Sequence, residues 1–425
     1  MSVDNKVPEI RFKAFSGAWE PKTLGDIISY IKGFAFKSND YETYGIRIVR
    51  VSDLTRNSLS ESSNKIHISC SKANLYSGYT INAGDIVITT VGSKAEMRES
   101  AVGRAIIFTK SEGYLLNQNL VKVTPTLGND SQFIYSQLLR ERYTKFIEDI
   151  QRGNANQANI TIGDLWEYSL SCPKDKKEQT QIGNYFQKLD ELINQHQNKH
   201  DKLNNLKKAM LEKMFPKQGE TTPEIRFKGF SGKWDEKVLG DMMTVTSVKR
   251  ILQSDWTLSG VRFLRARDIV SAYKNEAPSD YLYIAREKYN EYSQLSGKVE
   301  VGDLLVTGVG TIGVPMSITN DEPVYFKDGN IIWFKNENNI DGMFFFYSFI
   351  GDLIQTHIKH SAGTGTVGTY TINSGKNTPI KLPTREEQAV IGNYFQRLDT
   401  LINQHQQQIT KLKNIKQACL SKMFV

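Results

Sequence analysis

The chain of 425 residues contains only three cysteines, Cys70, Cys172 and Cys419, far apart and without a CxxC pair. Such a set builds neither a disulfide framework nor a zinc ribbon, and it suits a reducing cytoplasm. Long apolar runs are missing too. The strongest, MFFFYSFI at Met343–Ile350, falls well short of the roughly 20 residues that cross a bilayer as a helix, so no membrane partner is expected. The opening MSVDNKVPEI has no basic start followed by an apolar stretch, the mark of an export signal.

Signatures of catalysis are equally scarce. There is no GxxxxGK[ST] loop and no NPP[YF] or DPP[YF] methyltransferase phrase. GVGTIG (308–313) and GTGTVG (363–368) match GxGxxG, but a dinucleotide site needs a helix after the glycines. The first runs into VPMSI and the second into TYTINSGKNTPIKLP, so glycine-rich turns are the expectation. His196 and His200 are spaced as zinc ligands on a helix can be, yet Gln197 stands where a metalloprotease has glutamate, and His200 is matched by Ile409 in the later copy. His357 and His360 lack companion ligands. Glu20-Pro21-Lys22 has the ExK form of a nuclease site without an upstream PD motif, and an edge strand is the better reading. No metal and no cofactor are expected in this chain.

What the chain does have is repetition. PEIRFKAFSGAW (8–19) returns as PEIRFKGFSGKW (223–234), ten of twelve residues alike at an offset of 215. GIRIVRVSDL, AGDIVITTVG and LNQNLVKV recur in order as GVRFLRARDI, VGDLLVTGVG and KDGNIIWF. IGNYFQKLDELINQHQ (182–197) is restated as IGNYFQRLDTLINQHQ (391–406). The chain is a tandem duplication whose unit ends are nearly copied, while interiors such as 28–44 and 243–259 share almost nothing. A common frame carrying two different readers fits this unevenness.

The copied ends read as long helices. Asp175 with Glu178, and Thr384 with Glu387, fit capping boxes. Apolar residues then recur at helical spacing, from Ile182 to Met214 and from Ile391 to Met423, as in helices packed along their length on a partner helix. Each should run about 38 residues, on the order of 57 Å. A duplication closing on itself about a pseudo-two-fold axis would lay the helices antiparallel. The polar NQHQ quartets would then bring His196 near His405 and fix the register.

The formal charge is +8, of which the short segments 172–222 and 383–425 carry +3 each, leaving the larger segments nearly neutral. Charge alone therefore says little about nucleic acid.

Two variable segments alternating with near-identical helices, the helices opening P…[KE]EQ…IGNYFQ.LD.LI and the units opening PEIRF..FSG.W, resemble the DNA-specificity subunit of type I restriction–modification complexes over essentially the whole chain. The resemblance implies an α+β fold: two target-recognition domains joined by two long antiparallel helices, a coiled coil, in a pseudo-two-fold tandem duplication. It places the first recognition domain at 1–171, a central spacer helix and linker at 172–222, the second domain at 223–382 and a C-terminal spacer helix at 383–425. It further implies a non-catalytic chain that reads a split, asymmetric double-stranded DNA site. Two methylation subunits and two restriction/motor subunits would dock on it, and S-adenosylmethionine, ATP and magnesium would belong to those partners. A coiled-coil scaffold with two protein-binding domains is the rival reading.

Residues copied between units are candidates for frame or phosphate contact, because neither job depends on base sequence. Arg47 and Arg50 recur as Arg262 and Arg265; they either meet phosphate or pair with nearby acids such as Asp53 and Asp268. Unmatched loop residues are candidates for base readout. In the first unit these are Lys94, Arg98 and Arg104, together with Arg152, Asn154, Asn156 and Gln157. In the second they are Lys249, Arg250, Arg267 and Thr311, with His360, Thr364, Thr366 and Tyr370. Tyr185, Phe186, Tyr394 and Phe395, copied at the helix starts, either seat a methylation subunit or bury into their own domain.

Overall fold

The computed structural model describes residues 6–55, 58–60, 64–95, 101–154, 157–362 and 368–425. Contacts divide the chain into two compact units that do not follow chain order: residues 1–197 with 407–425, and residues 198–406. The cuts fall after the same polar quartet in both copies, so each long helix serves one unit with its first half and the other with its last part.

The helices span Lys176–Lys213 and Arg385–Lys422, 38 residues each. Their starts are set by prolines at 173 and 383 and by short polar side chains. Asp175 Oδ1 accepts from Lys177 N at 2.8 Å, and Thr384 Oγ1 accepts from Glu387 N at 3.4 Å. The reciprocal half of the expected capping boxes is not what the glutamates do. Glu178 and Glu387 turn away from the caps and bind Arg11 and Arg226, as described below.

In the first unit a four-stranded antiparallel sheet runs in the order Ile28–Lys32, Leu120–Pro125, Ile86–Thr89, Ala105–Ile107. The second unit repeats it as Thr244–Thr246, Ile331–Lys335, Leu304–Thr307, Pro315–Ser317. Strands 28–32 and 244–246 thus take the same place although their sequences share almost nothing. A strand needs only alternating burial and β-favouring residues, which many sequences supply. Each unit adds a second sheet holding the copied G-[IV]-R-x-[VL]-R strand, Ile46–Val49 or Val261–Leu264, paired in parallel with Leu115–Leu116 or Val324–Phe326. Among the described residues, Glu20–Thr23 pairs only with Ser169–Cys172, and Asp235–Val238 only with Pro379–Leu382. The ExK residues therefore sit on short two-stranded ribbons.

The copied phrases meet in one construction, made twice. In the first unit the Arg11 guanidinium grips Glu178 with two bonds of 2.7 and 2.8 Å and also donates to the carbonyl of Ser16. Arg226 grips Glu387 with bonds of 2.7 and 2.6 Å. Phe12 meets Tyr185 edge-on, as Phe227 meets Tyr394. The amide of Ile10 bonds to the Lys422 carbonyl, and that of Ile225 to the Lys213 carbonyl, both at 2.9 Å. PEIRF thus ties the start of one helix to the last turn of the other.

IGNYF has the same logic. Gln179 accepts from Asp130 N and donates to the Pro173 carbonyl; Gln388 does so with Asp341 N and the Pro383 carbonyl. A Cβ on Gly183 would stand 2.6 Å from Asp130 Oδ1 and 2.9 Å from Phe133 N, and one on Gly392 2.7 Å from Asp341 Oδ1 and 2.8 Å from Phe344 N. Only glycine lets the N-terminus of the short helix Ser131–Gln137, or of Gly342–Phe349, lie so close. Phe186 stacks on Phe424 and Phe395 on Phe215. Asp190 pairs with Lys416 at 2.6 Å, and Asp399 with Lys207 at 2.5 Å. Within the first unit, 185 and 190 meet 419 and 416, so the two helix segments run antiparallel. Within the second, 395 and 399 meet 215 and 207 in the same sense. His196 and His405 are each half-buried on their own helix.

Candidate nucleic-acid interface

The hairpin Arg152–Asn154 / Gln157–Asn159 pairs with Val91–Gly92, which continues from the central strand Ile86–Thr89. Two loops about 60 residues apart in sequence are thereby joined in one three-stranded edge. Gly153, at φ +111°, makes the hairpin possible: a Cβ there would stand 2.3 Å from the Gln157 carbonyl oxygen. Asn154 and Gln157 are exposed, and Asn154 Oδ1 accepts from Gln157 N at 3.1 Å, fixing the turn. Arg152 is also exposed and pairs with Asp164 at 2.8 Å. Lys94 is half-buried at the start of the adjoining loop. Arg104 is half-buried on the strand side, its Nη1 donating to the Leu54 carbonyl. Arg98 and Asn156 lie outside the described residues.

The second unit brings together the matching places. The turn 308–313 leads from Leu304–Thr307 straight into the antiparallel strand Pro315–Ser317, with no helix after the glycines. Gly308 accepts from Tyr370 N at 2.9 Å, and Gly313 accepts from Gln355 Nε2 at 3.0 Å. The helix Asp352–Ser361, the turn and the segment after residue 367 therefore share one edge. Thr311 and His360 are exposed there. Thr364 and Thr366 lie outside the described residues.

Several expected contacts are corrected. Tyr370 is 2% exposed and bonds its hydroxyl to Thr378 Oγ1 at 2.6 Å; a core tyrosine cannot meet bases. Arg47 is 4% exposed and donates to the Ser60 carbonyl under the Tyr114 ring. Arg50 is bound to Asp53, and Arg265 to both Asp268 and Asp280, so these copied arginines hold the frame. Hydrogen bonding to Asp268 raises the Arg265 pKa, while the Arg265 and Ser279 bonds lower Asp280 to about 2. With its folded pKa depressed, Asp280 keeps its share of stability above the ordinary carboxylate value and loses it as pH falls toward about 2. Lys249, Arg250 and Arg267 do not join the edge. Lys249 lies over Tyr292 at 4.2 Å, Arg250 pairs with Asp328 and Arg267 with Asp280, all around the second sheet. Phe186 and Phe395, 1% and 0% exposed, are fully inside their units and present nothing to a partner; Tyr185 and Tyr394 are half-buried against the PEIRF phenylalanines.

Among the described residues no three His, Cys, Asp or Glu side chains gather as a metal site, and no helix is long and apolar enough to cross a membrane.

The sequence profile described as the type I restriction modification DNA specificity domain matches residues 17–208 and again 231–414. The chain belongs to this family. It is 25% identical over 418 residues to the type I restriction enzyme MjaVIII specificity subunit of Methanocaldococcus jannaschii, covering 93% of this chain and 90% of that one. A provisionally named specificity subunit of the same organism, MjaX, is 23% identical over 422 residues, covering 93% and 91%. In fold the chain is similar to the S subunit of a type I restriction–modification system from M. genitalium, with a TM-score of 0.64, 16% identity and 99% of both chains covered.

Proposed function

We propose that this chain reads a two-part, asymmetric sequence in double-stranded DNA, one part per unit, for a type I restriction–modification complex, and performs no catalysis itself. The observation that carries this reading is the doubled family match laid over units with a copied frame and dissimilar exposed edges. Both proposed edges combine the loop after a central strand with the chain that follows the helix Glu141–Ile150 or Asp352–Ser361. In the first, the exposed Gln157 offers an amide that can pair bidentately with adenine, and Asn154, its Oδ1 holding the turn, offers an N–H donor. In the second, Thr311 and His360 offer different donors, so the half-sites differ.

Two methylation subunits and two restriction/motor subunits would act on the DNA so chosen, in the cytoplasm. S-adenosylmethionine, ATP and magnesium would be theirs. The exposed faces of the two long helices, with Tyr185 and Tyr394 half-buried beside them, are the surfaces left for docking, since Phe186 and Phe395 lie inside their units.

Mapping methylated adenines in cells carrying the complete system tests the reading. Two short, unequal motifs with an unread gap are expected; one uninterrupted or palindromic motif would contradict it. Replacing Asn154 and Gln157 by alanine should relax one position of the first motif, at a cost of about 1–3 kcal/mol in binding.

A further inference from the structure

One side chain is kept where its surroundings are not. Between LNQNLVKV (116–123) and KDGNIIWF (327–334) the single identical position is an asparagine, Asn119 in the first unit and Asn330 in the second. Each stands directly before an inner strand of the four-stranded sheet, Leu120–Pro125 or Ile331–Lys335. Each carbonyl also holds the loop after the central strand. Asn119 O accepts from Thr90 N and Thr90 Oγ1, both at 2.9 Å, and Asn330 O accepts from Gly308 N at 2.8 Å. The asparagines therefore lie at the two proposed edges, where both are half-buried.

The carbonyl bonds do not call for asparagine, since every residue has a carbonyl. Asparagine favours turns because it tolerates a left-handed backbone and because its side chain bonds nearby backbone groups. Neither reason applies. Among the described residues, positive φ outside glycine is confined to Asn275, Glu337 and Asn338, and neither the Asn119 nor the Asn330 side chain makes a hydrogen bond. Other polar side chains copied close by are employed. Thr89 and Thr307 use their hydroxyls twice, on Ala101 O and Arg104 N or on Thr311 O and Val314 N. Thr161 and Thr371 cap short helices. A side-chain amide kept in both units without a task inside either has its task outside. Edges that read different half-sites have no need of one shared base reader, whereas phosphate is the same at every step of a duplex and accepts from asparagine. Lys32, exposed opposite Val121 on the adjoining strand, adds positive charge beside Asn119.

We propose that Asn119 and Asn330 are matching backbone anchors: each donates a side-chain N–H to a phosphate oxygen and sets the register in which its unit meets the duplex. The inference rests on the DNA reading given above and deepens it.

The test uses the chain with its methylation subunits, on a duplex carrying the motif mapped from methylated adenines and on duplexes altered at one motif base. Asn119→Ala and Asn330→Ala should each weaken binding about three- to tenfold, the worth of one hydrogen bond. The factor should be the same on every duplex, and the mapped motif should not change. Asn119→Lys should bind more tightly, with the slope of log K against log salt steeper by about 0.9, as for one more phosphate neutralised. A residue that only shapes the turn would leave that slope alone. Relaxed specificity at one base in either alanine variant, unchanged affinity in both, or an unchanged slope in the lysine variant overturns the proposal. The wild type in the same series separates the two claims. If it shows no preference for the motif duplex, the DNA reading falls and the anchors with it; if it does and the alanine variants match it, the anchors alone fall.

Discussion

At the residue scale, the copied phrases are explained by what their side chains touch. Glu387 is 0% exposed and its charge is answered by Arg226, itself mostly buried. Breaking such a pair from one side leaves an unanswered buried charge. Arg226→Met should therefore lower stability by about 3–5 kcal/mol, and adding Glu387→Gln should recover part of the loss; thermal unfolding of the two variants checks it. The cysteines give a second prediction. Burial pushes the Cys172 thiol up to about 12, whereas Cys70 is exposed. At pH 8, well below the folded value for Cys172, iodoacetamide should label Cys70 in the native protein and leave Cys172 untouched until denaturant is added; mass spectrometry of the labelled peptides reads this. The sequence made the Arg11 and Arg226 phrases visible as copies but not as clamps, because their carboxylate partners lie 167 and 161 residues away. Asp53 and Asp268, three residues from Arg50 and Arg265, were within reach of sequence reasoning, and there the local pairing was legible.

At the element scale, periodicity and prolines placed both long helices almost to the residue, since a sustained apolar stripe has one regular solution. What periodicity could not supply was the division of labour along each helix, with its two halves serving different units. Nor could it show that the glycine of IGNYF marks a close approach. Mid-helix glycine ordinarily costs stability relative to alanine, by about 1 kcal/mol. Gly392→Ala should do the reverse of that rule and destabilise by about 1–3 kcal/mol, because the added methyl meets Asp341 Oδ1 at 2.7 Å and the Phe344 amide at 2.8 Å. Chemical denaturation of the variant decides the sign. The reading edges were half legible. The hairpin at 152–159 and the turn at 308–313 were recognisable as polar loops, but their union with distant segments depends on sheet order, which sequence spacing does not encode. Tyr370 was misjudged for the same reason: a tyrosine at the end of a glycine-rich stretch looks exposed until the core behind it is seen.

At the scale of the whole molecule, the duplication keeps what both units must do alike and varies what they must do differently. The kept parts are the clamp, the close helix approach and the stacked phenylalanines. The varied parts are the loops at the reading edges. This division predicts that specificity is modular, which a domain exchange measures most directly. Residues 20–171 are replaced with the corresponding segment of a relative of different specificity, and methylated adenines are mapped in cells with the partner subunits. One half of the recognised motif should change while the other half and the gap stay the same. A change in both halves, or in neither, would contradict two separate readers on a shared frame.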